Sequence, residues 1–215
     1  MRGPLFALPL LLGLVAAPAQ AACVDYSSEP ARLVELEAAA SRGALDEATK
    51  GCLETSYQAA TLQTTKGKIS RVLLVNAYAY DTKTWAKLVQ RHLDEVERSD
   101  PNIAYLYAFY LFNRPQPDYE EVIKWVDVAM ERRTEWSGDV LVARTYQLQR
   151  ARTYAAYEGW KSAEQKNSPE KDDLRAKAKT YAREWLDFSR SAGKDMREAE
   201  ELCVSAASRS ACGLD

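Results

Sequence analysis

The sequence has little of what enzymes commonly use for proton transfer and metal binding. It contains one histidine, His92, so any Ser-His-Asp or Cys-His catalytic device would have to use that residue. His92 lies in a predicted helix among charged residues, which is typical of a surface or half-buried histidine. No two of the four cysteines have the C-x-x-C spacing of a zinc or redox motif. We therefore expect neither a metal site nor a cofactor.

Glycine is also scarce, and acidic residues are the abundant groups that could support catalysis. The nine glycines form no phosphate-binding loop. Glu54-Thr55-Ser56 is similar to the catalytic Glu-Ser of lytic transglycosylases, but that family's downstream glycine-rich and aromatic motifs are absent. Glu54 also lies four residues after Lys50, the spacing of an ordinary helix ion pair. We expect a protein that is not an enzyme; the alternative is a small envelope enzyme, or an enzyme accessory, that acts on glycan or peptidoglycan.

The sequence has no excess of positive charge. Its formal net charge is −2, and the loss of a leader over residues 1–21 would remove Arg2 and no acidic residue, which changes the net charge to −3. A protein that holds nucleic acid needs a basic surface to attract the phosphates. We therefore expect no nucleic-acid partner.

No hydrophobic run is long enough to span a membrane. The longest, from Leu5 to Ala17, is about 13 residues and contains Pro9, whereas a spanning helix needs about 20. Arg2 precedes this run and Ala19-Gln20-Ala21 follows it, which is the pattern of a secretory signal peptide over residues 1–21. We expect cleavage after Ala21, secretion across the inner membrane and a periplasmic mature protein.

A lipid anchor at Cys23 is the alternative to simple cleavage. Cys23 lies where the lipidated cysteine of a lipoprotein would lie. Lipoprotein signals usually have an aliphatic residue where this sequence has Gln20, so cleavage after Ala21 remains the preferred prediction.

The four cysteines, Cys23, Cys52, Cys203 and Cys212, predict two disulfides in an oxidising compartment. Three pairings are possible. We favour Cys23 with Cys52 and Cys203 with Cys212, because each pair is local and ties one terminus to the body. A continuous helix would hold Cys203 and Cys212 about 13 Å apart, which exceeds the reach of a disulfide. This pairing therefore requires the chain to turn back before Gly213.

The apolar residues recur with helical spacing along almost the whole chain, so the predicted fold class is all-α. Helix boundaries are indicated by Pro30 in a first turn, by Gly43 as a stop, by Asp81 as a cap, and by Asp118 with Glu121 as a capping box. The predicted helices span residues 31–42, 46–61, 69–80, 82–99, 103–112, 119–133, 138–166, 168–193 and 195–207.

Part of this pattern resembles the tetratricopeptide (TPR) repeat family. Trp85 and Tyr119 lie 34 residues apart, which is the repeat period of that family, and Gly43-Ala44-Leu45-Asp46-Glu47-Ala48 is similar to its turn between two helices. The resemblance implies stacked antiparallel helical hairpins, a TPR-like α-solenoid, over residues 22–136. Residues 137–215 are then a C-terminal extension of longer helices that packs on the array. A generic helical bundle is the alternative.

Aromatic residues are dense between residues 78 and 125, and most aromatic residues at helical spacing belong to a core. The family resemblance implies that the first helix of each hairpin lines a concave groove. That rule selects Arg71, Tyr78, Tyr105, Phe112 and Arg144 as partner-binding residues, and it makes Tyr80 and Tyr107 packing residues. We expect a non-catalytic adaptor or scaffold of the cell envelope that holds a peptide or a partner protein in this groove.

Overall fold

The computed structural model describes residues 23–78 and 82–214, and these residues form an all-helical structure without strands. The predicted signal peptide, Tyr80 and the predicted cap Asp81 lie outside the described residues. The helices are α1 Val34–Ala40, α2 Glu47–Ala59, α3 Gln63–Tyr78, α4 Thr82–Glu95, α5 Pro101–Phe112, α6 Tyr119–Glu131, α7 Gly138–Gln165, α8 Lys171–Ser191 and α9 Arg197–Ala206. Short 3-10 helices span Pro30–Leu33, Arg133–Glu135 and Ser210–Cys212. The prediction of an all-α protein is confirmed.

Local interactions set the starts of α2 and α6 and the end of the first helical segment. The carboxylate of Asp46 accepts a hydrogen bond from the N–H of Thr49 at 2.6 Å and starts α2. Asp118 starts α6 in the same way, through the N–H of Glu121 at 3.2 Å. Gly43 ends the first helical segment with a φ of 64°, a conformation that glycine adopts without strain. These boundaries therefore depend on residues that are close together in the chain.

Two predicted helix starts lie too late in the chain, one for a local reason and one for a distant one. The chain does break between α4 and α5, but α5 begins at Pro101, two residues before the predicted start, because Asp100 caps it and proline suits a first position. α3 begins at Gln63, well before the predicted start at residue 69. Its first turns pack on the end of α4, where the Gln63 amide donates to the carbonyl of Val96 at 2.6 Å. A Cβ on Gly67 would lie 3.2 Å from Cγ1 of Val96, so glycine permits this close approach.

Consecutive helices pack against each other from α2 to α9, and three pairs of alternate helices also meet. α1 contacts α3, α5 contacts α7, and α7 contacts α9. The long α7 also packs against α6 and α8, so it joins the helices before it to those after it. Fully buried alanines on three helices, Ala104, Ala108, Ala129, Ala151 and Ala155, let α5, α6 and α7 approach closely. Residues of α3 and α5 also line one depression together, so the odd-numbered helices from α1 to α7 share one face of the molecule.

An ionic link joins α6, α7 and α8. Asp127 occupies a position where the repeat pattern expects an apolar residue, and it accepts a hydrogen bond from Arg152 at 3.0 Å. Arg152 is largely buried, also pairs with Glu184, and lies 4.2 Å from the centroid of the Tyr181 ring. The acid at position 127 is thus matched by a cation from the neighbouring helix.

Two disulfides, Cys23–Cys52 and Cys203–Cys212, tie down the ends of the described chain. These are the pairings that the sequence favours. The Cα atoms of Cys203 and Cys212 are 6.0 Å apart because α9 ends at Ala206 and the chain turns back into a 3-10 helix. Within the described residues, no helix combines the length and the apolar character needed to cross a bilayer.

Candidate binding groove

The face shared by α1, α3, α5 and α7 carries three adjoining depressions, which we call the groove. The first, about 490 Å³, lies between α1 and α3; the second, about 370 Å³, lies between α3 and α5. The third, about 320 Å³, lies between α5 and α7. Arg71 and Val75 line both the first and the second depression, whereas Tyr78 and Leu106 line both the second and the third. The groove therefore runs continuously across four helices.

Helical periodicity places the groove residues on their helices. Arg71, Val75 and Tyr78 are spaced i, i+4 and i+7 along α3, so they form one stripe. On α5, Tyr105 and Phe112 occupy an equivalent stripe. The structure thus brings the predicted residues Arg71, Tyr78, Tyr105 and Phe112 to one surface.

The groove exposes apolar side chains. Five large hydrophobic residues among the described residues stand out as exposed, and three of them line the groove: Val34 at 66%, Val75 at 46% and Tyr78 at 57%. Buried Trp85 of α4 contributes to the second depression, and its ring lies 5.5 Å from the ring of Tyr78. Because single exposed apolar residues are common but clusters are rare, this grouping sets the groove apart from the rest of the described surface.

The charges along the groove are mainly positive, although the whole chain is slightly negative. Lys68, Arg71 and Arg150 are the cationic lining residues, and Glu37 is the acidic one. Arg71 pairs with Asp100 at 2.7 Å and Arg150 with Glu198 at 2.7 Å. Lys68 is thus the one cationic lining residue without an ion pair among the described residues.

Arg144 of α7 lines none of the three depressions, but it lies next to the third, where it stacks on the rings of Tyr105 and Trp136. Its guanidinium carbon lies 5.0 Å from the ring centroid of Tyr105 and 5.0 Å from that of Trp136. The guanidinium also bonds the side-chain oxygen of Asn102, which accepts a second hydrogen bond from Nε1 of Trp136 at 3.1 Å. The Tyr105 hydroxyl donates to Gln147, and burial raises the pKa of that tyrosine. Arg144 is therefore held in place by the residues around it.

Beneath the groove lies a buried polar network that contains the single histidine. Nδ1 of His92 is 3.0 Å from Oγ of Ser70, and Nε2 is 3.3 Å from Oδ2 of Asp100. All three residues are fully buried. Burial acts to raise the pKa of Asp100, but His92, Arg71 and the N–H of Ile103 outweigh it and hold that pKa well below its usual range.

The expectation of a surface or half-buried histidine is wrong. His92 shares the buried stripe of α4 with Trp85, Leu88 and Val89, so its helical position outweighs its charged neighbours in the sequence. The helical spacing of Trp85, Leu88, Val89 and His92 was the sequence signal that could have predicted the burial of His92.

The Ser70–His92–Asp100 arrangement does not have the geometry of a hydrolase triad. In such triads Nε2 faces the serine and Nδ1 faces the aspartate, whereas here the two ring nitrogens are reversed. The Ser70 hydroxyl is also enclosed, so a substrate has no path to it. Asp100 additionally caps α5 through the N–H groups of Asn102 and Ile103. The network therefore joins α3, α4 and α5.

The expected helix pair between Glu54 and Lys50 is also wrong. Lys50 pairs with Glu47, whereas Arg91 of α4 donates to both carboxylate oxygens of Glu54, at 2.7 and 3.1 Å. Arg91 also covers the ring of buried Tyr57 at 4.2 Å. Glu54 is thus part of the contact between α2 and α4.

Sequence reasoning missed two exposed groove residues, Val34 and Val75, and it missed Trp136, whose ring lies beside the groove against Tyr105. Val75 could have been found because it shares the stripe of Arg71 and Tyr78, but Trp136 comes from the short connection before α7 and had no such signal.

Residues 23–78 and 82–214 contain no group of three or more side chains suited to hold a metal ion. Compared with models of protein families, with curated proteins and with solved structures, the chain matches none.

Proposed function

We propose that this protein is a non-catalytic adaptor or scaffold whose groove holds a segment of a partner protein. The observation that carries the proposal is the grouping of Val34, Val75 and Tyr78, three of the five exposed large hydrophobic residues among those described, in one continuous depression. Exposed apolar surface of this kind is costly in water and is relieved by a partner.

The proposed architecture is a TPR-like stack of helical hairpins over residues 22–136 with a helical extension after it. The contact of α1 with α3 supports it, because stacked hairpins place their first helices side by side, and residues of α3 and α5 line the second depression together. In such a stack the first helices form the inner face. The groove is lined mainly by these helices, so it would be the concave surface of the array.

The proposed location is the periplasm, reached through the predicted signal peptide. Two disulfides and no membrane-spanning helix among the described residues fit an oxidising compartment outside the cytoplasm. The sulfur of Cys23 is used in a disulfide, so it is not free to form the thioether of a lipid anchor. This favours cleavage after Ala21 over lipidation.

The groove suits binding more than bond cleavage. A glycan-cleaving enzyme keeps one carboxylic acid protonated by raising its pKa. Glu54, the candidate from the sequence, is neutralised by Arg91. The binding proposal is therefore preferred to the envelope-enzyme alternative.

Site-specific photo-crosslinking tests the proposal with a matched pair of positions. Val34 lies in the groove and Leu62 precedes α3, yet both are 66% exposed. A benzophenone amino acid at position 34 should form a discrete adduct with a partner in intact cells, whereas the same group at position 62 should not. Equal labelling at both positions, or none at position 34, would remove the support for a groove-bound partner.

A further inference from the structure

In the described part of the chain, Arg144 differs from the other arginines that are buried or half-buried. Five arginines there are buried or half-buried, and four of them pair with a carboxylate: Arg91 with Glu54, Arg132 with Glu97, Arg150 with Glu198 and Arg152 with Asp127. Arg144 has no carboxylate partner among the described residues.

The contacts of Arg144 are all with neutral groups. The guanidinium bonds the amide oxygen of Asn102 through Nη1 and stacks on the rings of Tyr105 and Trp136. Rings and amides orient a cation, and they displace part of its water, but they do not neutralise its charge. None of the remaining N–H groups of Arg144 is buried without a partner, so they face solvent at the edge of the groove. A partly desolvated cation is thus presented to an incoming anion.

The guanidinium is also positioned before any ligand arrives. The oxygen of Asn102 accepts hydrogen bonds from both Arg144 and Trp136, and the Trp136 ring is buried with 6% exposure. Tyr105 in turn is fixed by its hydrogen bond to Gln147 and by its contact with the Trp136 ring at 5.9 Å. Little side-chain freedom would be lost when an anion binds, which favours affinity.

We infer that Arg144 binds a carboxylate of the partner segment, so that the occupant of the groove is an acidic stretch of a protein chain with apolar side chains beside the acid. This inference rests on the proposed function. The planar guanidinium fork matches the two oxygens of a carboxylate, and the exposed groove residues Val75 and Tyr78 offer contact for the neighbouring apolar groups. Lys68 adds a further cation in the first depression.

Nuclear magnetic resonance with two matched probes tests the anchor. N-acetyl-tyrosine carries a carboxylate, and N-acetyl-tyrosinamide differs only in having an amide there. We expect the acid to shift the Nε–Hε signal of Arg144 and the Nε1–Hε1 signal of Trp136 in a saturable manner, and the amide to bind at least about tenfold more weakly, the ratio that corresponds to a lost charged hydrogen bond of about 1.4 kcal/mol. Equal binding of the two probes would overturn the inference.

Three variants make the assignment specific. Arg144→Gln should abolish the preference for the acid, Arg144→Lys should retain part of it, and Arg98→Gln should leave it intact because the exposed Arg98 lies outside the groove. Retention of the preference in Arg144→Gln would overturn the inference, and circular dichroism checks that this variant is folded. Inorganic phosphate is the third probe, and saturable shifts with phosphate but not with the acid would also overturn it.

The two proposals can fail separately. Crosslinks at position 34 without any preference for the acid probe would leave the groove function standing and remove the carboxylate anchor. A clear preference for the acid probe without crosslinks at position 34 would support the anchor chemistry and remove the groove-bound protein partner.

Discussion

Nε2 of His92 lies 3.3 Å from Oδ2 of Asp100, and both side chains are completely shielded from solvent. Asp100 also receives Arg71, whose side chain lines the groove, at 2.7 Å. The buried network is therefore connected to the proposed binding surface through one carboxylate. It ties together three helices that contribute to the groove or to its floor.

Replacement of the histidine should destabilise the protein without removing an activity. His92→Ala leaves a cavity and removes one partner of Ser70 and one of Asp100, so the free energy of unfolding should fall by about 2–5 kcal/mol. Urea denaturation followed by circular dichroism measures this loss. Crosslinking at position 34 should persist below the unfolding transition, because no proton transfer depends on the ring. A variant that is fully stable but has lost a native catalytic activity would favour the envelope-enzyme alternative.

The stability of the protein should depend on the ionisation of Asp100. Its pKa is lowered in the folded state, so its ionised form stabilises the fold above the pKa of the unfolded chain, about 4, and this contribution is lost as the pH falls below that value. Asp100→Asn keeps an oxygen that can cap α5 but removes the charge. At neutral pH we expect this variant to be less stable than the wild type, with the gap closing below about pH 4.

Urea midpoints measured from neutral to strongly acidic pH test this expectation for Asp100. Glu131→Gln, which removes an exposed acid from α6, serves as the control and should not produce such a closing gap. A stability difference for Asp100→Asn that stays constant with pH would contradict the assignment.

A second pH dependence is expected at the alkaline end. Burial and the hydrogen bond to Glu95 raise the pKa of Tyr57 to about 12. A raised pKa means that the protonated hydroxyl stabilises the fold below the unfolded value, about 10, and that this contribution is lost as the pH rises from about 10 towards 12. The wild type should therefore lose more stability over this range than Tyr57→Phe. Parallel thermal melts of the two proteins provide the measurement, and identical alkaline losses would contradict the prediction.

Two tyrosines of different exposure should separate binding from packing. Tyr78 is 57% exposed in the groove, so Tyr78→Ala should change the free energy of unfolding by less than about 1 kcal/mol but weaken partner binding by about 1–2 kcal/mol or more. Tyr107 lies on another face, 5.5 Å from the ring of Trp125, so Tyr107→Ala should cost about 2–4 kcal/mol of stability. Melting curves and crosslinking yields distinguish these effects. Equal destabilisation with unchanged crosslinking would assign both rings to the core.

The two disulfides should open in a defined order. Cys23 is exposed, whereas Cys203 and Cys212 are buried against Trp185 and Leu186. A mild reductant under native conditions should therefore reduce Cys23–Cys52 first, which alkylation and mass spectrometry can follow. In the chain-entropy description, the closed loop of 29 residues should also stabilise by about 1 kcal/mol more than the loop of 9 residues. Four free thiols in the protein before reduction would contradict both the pairing and the oxidising compartment.

The sequence by itself determined that the chain is helical and which nearby residues start or end several of the helices. Asp46, Gly43 and Asp118 act through hydrogen bonds or backbone angles that involve residues a few positions away, so their effects are readable without a fold. The pairing of Cys203 with Cys212 was predictable because the two residues are only 9 positions apart in the chain. Helical spacing also held enough information to place Arg71, Val75 and Tyr78 on one stripe, and to place His92 on the buried face of α4.

Only the tertiary structure decided which charges meet and which remain unpaired. Glu54 and Arg91 are 37 residues apart in the chain, and Arg144 and Asn102 are 42 residues apart. Such partners are selected when neighbouring helices pack, because ion pairing and desolvation depend on distance in space and not on separation along the chain. The same physics leaves Arg144 without a carboxylate while its buried and half-buried counterparts among the described residues have one.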